Sequence, residues 1–139
     1  MRGWRWICGI AGLAVLAGLA PAAIAPIAAR STTLPALTRL MEGSWELRER
    51  GGKSAPQRIC AADPLALMQV RHAGRACSRF VIDSQPDRAT VHYTCPGVGH
   101  GRTTLRVETN RLVQIETQGF VEGAPFQTRY EGRFVGPCR

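Results

Sequence analysis

Four cysteines, Cys60, Cys77, Cys95 and Cys138, constrain this chain more than any other residues it contains. A fifth, Cys8, lies in an apolar N-terminal stretch that reads as an export signal. An even number of cysteines in a small exported domain implies a disulfide framework, because the compartment is oxidising and a small core gains from cross-links. Zinc is the rival use, but none of the spacings is the two-to-four-residue clip of a zinc site. No metal and no cofactor is expected. A nucleophilic cysteine needs a free thiolate, which oxidised cysteines do not supply.

Residues 1–29 are read as the signal peptide. Arg2 and Arg5 open it, and the run from Ile10 to Ala29 contains only Ala, Leu, Ile, Val, Gly and Pro. That run is close to the length of a membrane span. Its far end is Ala-rich, and Pro21 and Pro26 interrupt it where a spanning helix would be continuous, which favours cleavage. Ala23-Ile24-Ala25 is a small-x-small site with Pro26 as a poor neighbour, and a cut near Ala28 or Ala29 fits as well. The expected address is periplasmic or secreted, with an uncleaved inner-membrane anchor as the alternative. Residues 30–139 are then a single disulfide-stapled domain of about 110 residues, near the commonest domain size.

The net charge is +8, and about +5 remains once Arg2, Arg5 and Arg30 of the leader region are set aside. Such an excess favours an anionic partner, an envelope component or another exported protein. Lys53 is the sole lysine and the arginines are scattered rather than striped, a pattern that nucleotide composition alone produces. No nucleic-acid partner is expected.

Leu34, Leu37, Leu40 and Met41 recur at helical steps between Pro35 and Gly43, predicting a short amphipathic helix. Ser44 to Arg50 alternates apolar and charged residues, placing Trp45 and Leu47 on the buried face of a first strand. Gln57 to Cys60 returns as its partner. Asp63-Pro64 starts a second helix that runs to His72 or Ala73, with Leu65, Leu67, Met68 and Val70 covering a sheet and His72 on its exposed side. Five alternating runs follow: Arg79 to Asp83, Ala89 to Cys95, Arg102 to Thr109, Leu112 to Gln118 and Phe126 to Val135. Their connections are too short for parallel crossovers. The expected fold is mainly β (α+β), an antiparallel meander sheet, open or curled into a partial barrel, with one or two short helices packed on it and two disulfides.

Strand direction selects among the three disulfide pairings. Cys77 opens one strand and Cys95 closes the next, so they face each other across a hairpin mouth, within bonding range. In a simple meander the strand before Cys138 runs opposite to the one ending at Cys95, and a seven-residue strand spans roughly 23 Å. Those two cysteines are then too far apart, which leaves Cys138 for Cys60. The rival clasp Cys60–Cys77 fails only through what it leaves for Cys95.

A Trp-opened strand, a Cys before Asp63-Pro64, a second Cys, a hairpin to a third Cys followed by Pro96-Gly97, and the ending Gly136-Pro137-Cys138 resemble the DUF3617 family. The likeness runs from about Gly43 to Cys138. It implies an exported, envelope-located protein of unknown function and carries over no catalytic residue.

The remaining chemistry is sparse. Gly97-Val98-Gly99-His100-Gly101 has the look of a phosphate-binding loop, but a strand and not a helix follows, so an inter-strand loop is expected. His72, His92 and His100 include no i, i+4 metal pair. No Gly-x-Ser-x-Gly elbow occurs. Glu108, Glu116, Glu122 and Glu131 read as the solvent sides of strands, and Phe120, Phe126, Tyr130 and Phe134 as packing around the last strand. Arg102, Arg106, Arg129 and Arg133 share one face of neighbouring strands, giving a candidate basic face. The leading expectation is a non-enzymatic envelope module that binds or supports another component. A small secreted inhibitor of a hydrolase is the alternative.

Overall fold

Alternating burial organises the C-terminal half of the chain: Leu105, Val107, Val113 and Ile115 are buried while Arg106, Glu108 and Glu116 between them are exposed. A strand that turns one row of side chains inward and the other outward forms half of a two-faced antiparallel sheet. In the computed structural model, which describes residues 33–139, seven such strands form one antiparallel sheet. They are β1 (Gly43–Glu49), β2 (Gln57–Ala61), β3 (Ser78–Ser84), β4 (Arg88–Cys95), β5 (Gly99–Thr109), β6 (Leu112–Val121) and β7 (Ala124–Gly136). Their order is β2-β1-β7-β6-β5-β4-β3. The five runs read from the sequence are the meander β3 to β7. β7 then returns beside β1, with Trp45 opposite Phe134. The sheet is open, since β2 and β3 are its edges. The readings of the signal, its cleavage, the anchor alternative and Cys8 fall outside the described residues.

The first helix is a single turn, α1 (Pro35–Thr38), although Leu34, Leu37 and Leu40 are all buried. It stops early because the backbone at Met41 is engaged elsewhere. The Met41 amide donates to the Asn110 carbonyl at 3.0 Å, and the Trp45 indole N–H donates to the Met41 carbonyl at 3.0 Å. The second helix begins as the sequence predicts, with Asp63 Oδ1 accepting from the Leu65 amide at 2.9 Å. It winds as a 3₁₀ segment, Pro64–His72, broken at Gln69, whose φ of −134° is not helical. Because β2 and β3 are opposite edges, this segment carries the chain across the sheet. Leu67, Met68 and Val70 are buried beneath it.

Two bridges fix the sheet, Cys60–Cys138 with Cα atoms 5.4 Å apart and Cys77–Cys95 at 4.2 Å. The first joins β2 to the end of β7 across the start of β1, where Ser44 pairs with both Cys60 and Gly136. The second closes the open end of the β3–β4 hairpin beside the Ser78–Thr94 pair. Disulfides of this kind persist in an oxidising, extracytoplasmic compartment. Among the described residues no helix is long and apolar enough to cross a membrane.

Candidate binding groove on the outer sheet face

Side chains that point away from the α1 and 3₁₀ cover form the outer face. All four candidate arginines lie there, on β5 and β7. Three are matched by carboxylates: Arg106 meets Glu108 at 3.1 Å, Arg129 meets Glu116 at 3.5 Å and Arg133 meets Glu131 at 2.8 Å. The hydrogen bond from Arg133 holds the Glu131 carboxyl below its ordinary range, with help from Gln114. Exposed pairs of this kind add little stability, about 0–1 kcal/mol each, but they cancel local charge. Arg102 has no carboxylate partner among the described residues.

Register explains what stands around Arg102. It sits opposite His92 on β4 and Gln118 on β6, and Gln118 is opposite Gln127 on β7. One step along, His100 is opposite Phe120. These side chains line an open groove of about 590 Å3 with no acidic residue on its walls. The His92 and His100 rings are 5.8 Å apart and tilted by 38°, and the His100 and Phe120 rings are 5.4 Å apart at 40°. At the strand edge Phe80 pairs in register with His92 and is 71% exposed. The sequence spacing of the two histidines does not connect them; the β4–β5 register does.

Phe120 is also held from the inner face, through its backbone carbonyl. His72, expected on the exposed side of its helix, is only 2% exposed. The 3₁₀ winding, three residues per turn, and the break at Gln69 shift its direction away from the α-helical expectation. Its Nε2 lies 3.1 Å from the Phe120 carbonyl and its Nδ1 3.0 Å from the Tyr93 hydroxyl. A carbonyl only accepts, so Nε2 carries the hydrogen, and in the neutral ring Nδ1 accepts from Tyr93. The glycine run Gly97 to Gly101 is not a loose loop from end to end. Only Pro96 to Val98 turns; β5 already begins at Gly99. A Cβ at Gly99 would stand 2.0 Å from the Phe120 carbonyl oxygen, and one at Gly101 would stand 2.4 Å from the Tyr93 hydroxyl. The glycines are there for close approach, not for flexibility.

No family model, curated protein or solved structure matches the chain. Its chemistry has to be read from these side chains. Among the described residues no three His, Cys, Asp or Glu side chains gather as a metal site. The groove presents one free guanidinium, two imidazoles, two amides and the phenyl rings of Phe120 and Phe126, a set that binds through charge, hydrogen bonds and ring faces.

The buried histidine makes a pH prediction. Burial is the largest cause holding the His72 pKa below its ordinary value, reinforced by the charges of Arg71, His100 and Arg75 and opposed by the Phe120 hydrogen bond. The unfolded chain therefore takes up a proton at higher pH than the folded one. The stability this histidine contributes is complete above the unfolded value, about 6.5, and is lost as pH falls below it. Thermal unfolding followed from pH 8 to 5 should show a flat melting temperature above about pH 7 and a decline below 6.5. His72→Gln, which keeps a donor for the Phe120 carbonyl, should flatten that decline. An unchanged slope in the variant would assign the loss to other groups.

Proposed function

We propose that this protein is an exported, non-enzymatic binding module of the periplasm or the secreted space, and that its partner is anionic and docks in the outer-face groove. Arg102 carries the reading: it is the one candidate arginine left without a carboxylate, it stands in a groove without acidic walls, and Glu116, in the adjoining hollow that Arg102 also lines, is taken up by Arg129. An unpaired guanidinium beside aromatic rings is a ready site for an anion, because its planar fork donates two parallel hydrogen bonds. The two disulfides support the exported address. Membership of the DUF3617 family belongs to the same proposal and rests on the cysteine spacing with the Gly136-Pro137-Cys138 ending. The inhibitor alternative asks for a protruding loop: the meander strands are joined by connections of only two or three residues, and the longer, exposed connection 50–56 between β1 and β2 is the segment it would use.

The test is a titration of the oxidised mature domain with a panel of soluble polyanions, namely polyuronate, polyglutamate and sulfated dextran, at low and high salt. At least one is expected to bind in a salt-sensitive way. Arg102→Ala should weaken that binding about ten- to a hundred-fold, the range for losing a charged hydrogen bond. Arg133→Ala, whose guanidinium is occupied by Glu131, should change it less than about two-fold. Equal losses in the two variants would mean that net charge, not the groove, attracts the polymer.

A further inference from the structure

The groove is chemically narrower than a general anion site. Resting on the reading of the groove as an anion-binding site, we infer that its occupant is an acidic sugar, a uronate unit of a polysaccharide chain, with Arg102 on the carboxylate and Gln118 and Gln127 on the ring hydroxyls.

Three observations carry this. Gln118 and Gln127 face each other in register, and neither side chain is engaged by another group among the described residues. A free primary amide offers two donors and an acceptor, the complement of neighbouring hydroxyls that each donate and accept. Beside them, His92, His100 and Phe120 set three rings in sequence, with Phe120 45% exposed. Ring faces carry partial negative charge, and the weakly positive C–H groups of a pyranose pack on them. The free guanidinium then matches one carboxylate in fork geometry.

The same features disfavour other anions. A polyphosphate presents neither hydroxyls nor a C–H ring face, so Gln118, Gln127 and Phe120 would go unused, and Arg106 and Arg129 are already neutralised by carboxylates. A peptide is held by adding a strand to a sheet edge or, where it is acidic, by a cluster of arginines, and among the described residues the groove has a single unpaired arginine. The groove lies on the face of β4 to β7, where β4, β5 and β6 carry ladders on both sides and only the start of β7, before its pairing with β1 begins at Tyr130, leaves a short open edge. Its open form suits a chain that passes over it, and its size, about 590 Å3, falls within the range of small-ligand sites.

The experiment is calorimetric titration of the oxidised mature domain with three probes: an oligogalacturonate, the neutral oligogalactose of the same length, and polyglutamate of matched charge. The oligogalacturonate should bind at least about ten-fold tighter than either of the others. Phe120→Ala and the double variant Gln118→Ala/Gln127→Ala should each lose about ten-fold on the oligogalacturonate while leaving polyglutamate unchanged, and Phe120→Trp should retain binding. Unchanged thermal unfolding of each variant ensures that binding, not folding, is read. Polyglutamate binding as tightly as the uronate, with Phe120→Ala neutral, overturns the sugar assignment and leaves the anion reading standing. Neutral sugar binding as tightly as the uronate, or no binding by either anion, overturns both.

Discussion

Replacing Cys60 and Cys138 together by Ser should remove about 4.5 kcal/mol of stability, whereas replacing Cys77 and Cys95 should remove about 3 kcal/mol, because the chain-entropy term grows with the loop closed. The first bridge closes a separation of 78 residues and the second one of 18. Most domains hold only 5–15 kcal/mol in total, so the larger loss threatens folding at physiological temperature. For a domain of about 100 residues it amounts to a fall in melting temperature of roughly 20 °C. The structure adds a local reason for the asymmetry. β2 is an edge strand of five residues paired only to β1, and Cys60 is its tie to β7. Urea unfolding of the two double-Ser variants measures both losses, and an unreduced tryptic digest reports the pairing directly. Equal losses from the two variants would contradict the loop-length account, and a Cys60–Cys77 peptide would contradict the fold itself.

The strands of this protein are legible in its sequence because one face of the sheet is buried, so Leu105-Arg106-Val107-Glu108 can alternate in only one way. Disulfide pairing is legible for a related reason: strand direction decides which cysteines share an end of the sheet. The nature of the cover is not legible in the same way. Asp63 and Pro64 start an α-helix and a 3₁₀ segment with the same capping chemistry, and packing over the sheet decides between them. That choice turns His72 inward, and an α-helical reading misplaces it. Gly99 and Gly101 mislead for another reason, since glycine marks both a loose loop and a place where two backbones or a buried hydroxyl come too near for a Cβ. The groove is the least legible feature. Whether Arg102 or Arg129 meets a carboxylate depends on which residue lies opposite on the next strand, and Thr104↔Glu116↔Arg129 is a matter of register. Residue order along one strand does not contain it.

Trp45→Ala should cost about 3–5 kcal/mol, the range for emptying a buried aromatic site. Trp45 is fully buried, its indole N–H donates to the Met41 carbonyl, and its ring stands edge-on to Phe134 at 5.9 Å and 72°. It lies where β1 joins β2 on one side and β7 on the other, opposite Ile59 and Phe134. Truncation thus opens a cavity and removes the donor that Met41 faces where the chain leaves α1. Trp45→Phe keeps most of the ring and should lose clearly less, while Val135→Ala on the exposed side of β7 should stay within about 0.5 kcal/mol. Urea unfolding of the three variants gives the ordering, and a Trp45→Ala loss no larger than that of Val135→Ala would mean that β1 is not anchored by this residue. Because β2 reaches the rest of the sheet only through β1 and the Cys60–Cys138 bridge, the two ties act on one element. Combined in one chain, Trp45→Ala and the Cys60/Cys138 replacement should depart from additivity, as changes within a shared element do, while Trp45→Ala with the Cys77/Cys95 replacement at the far edge should simply add.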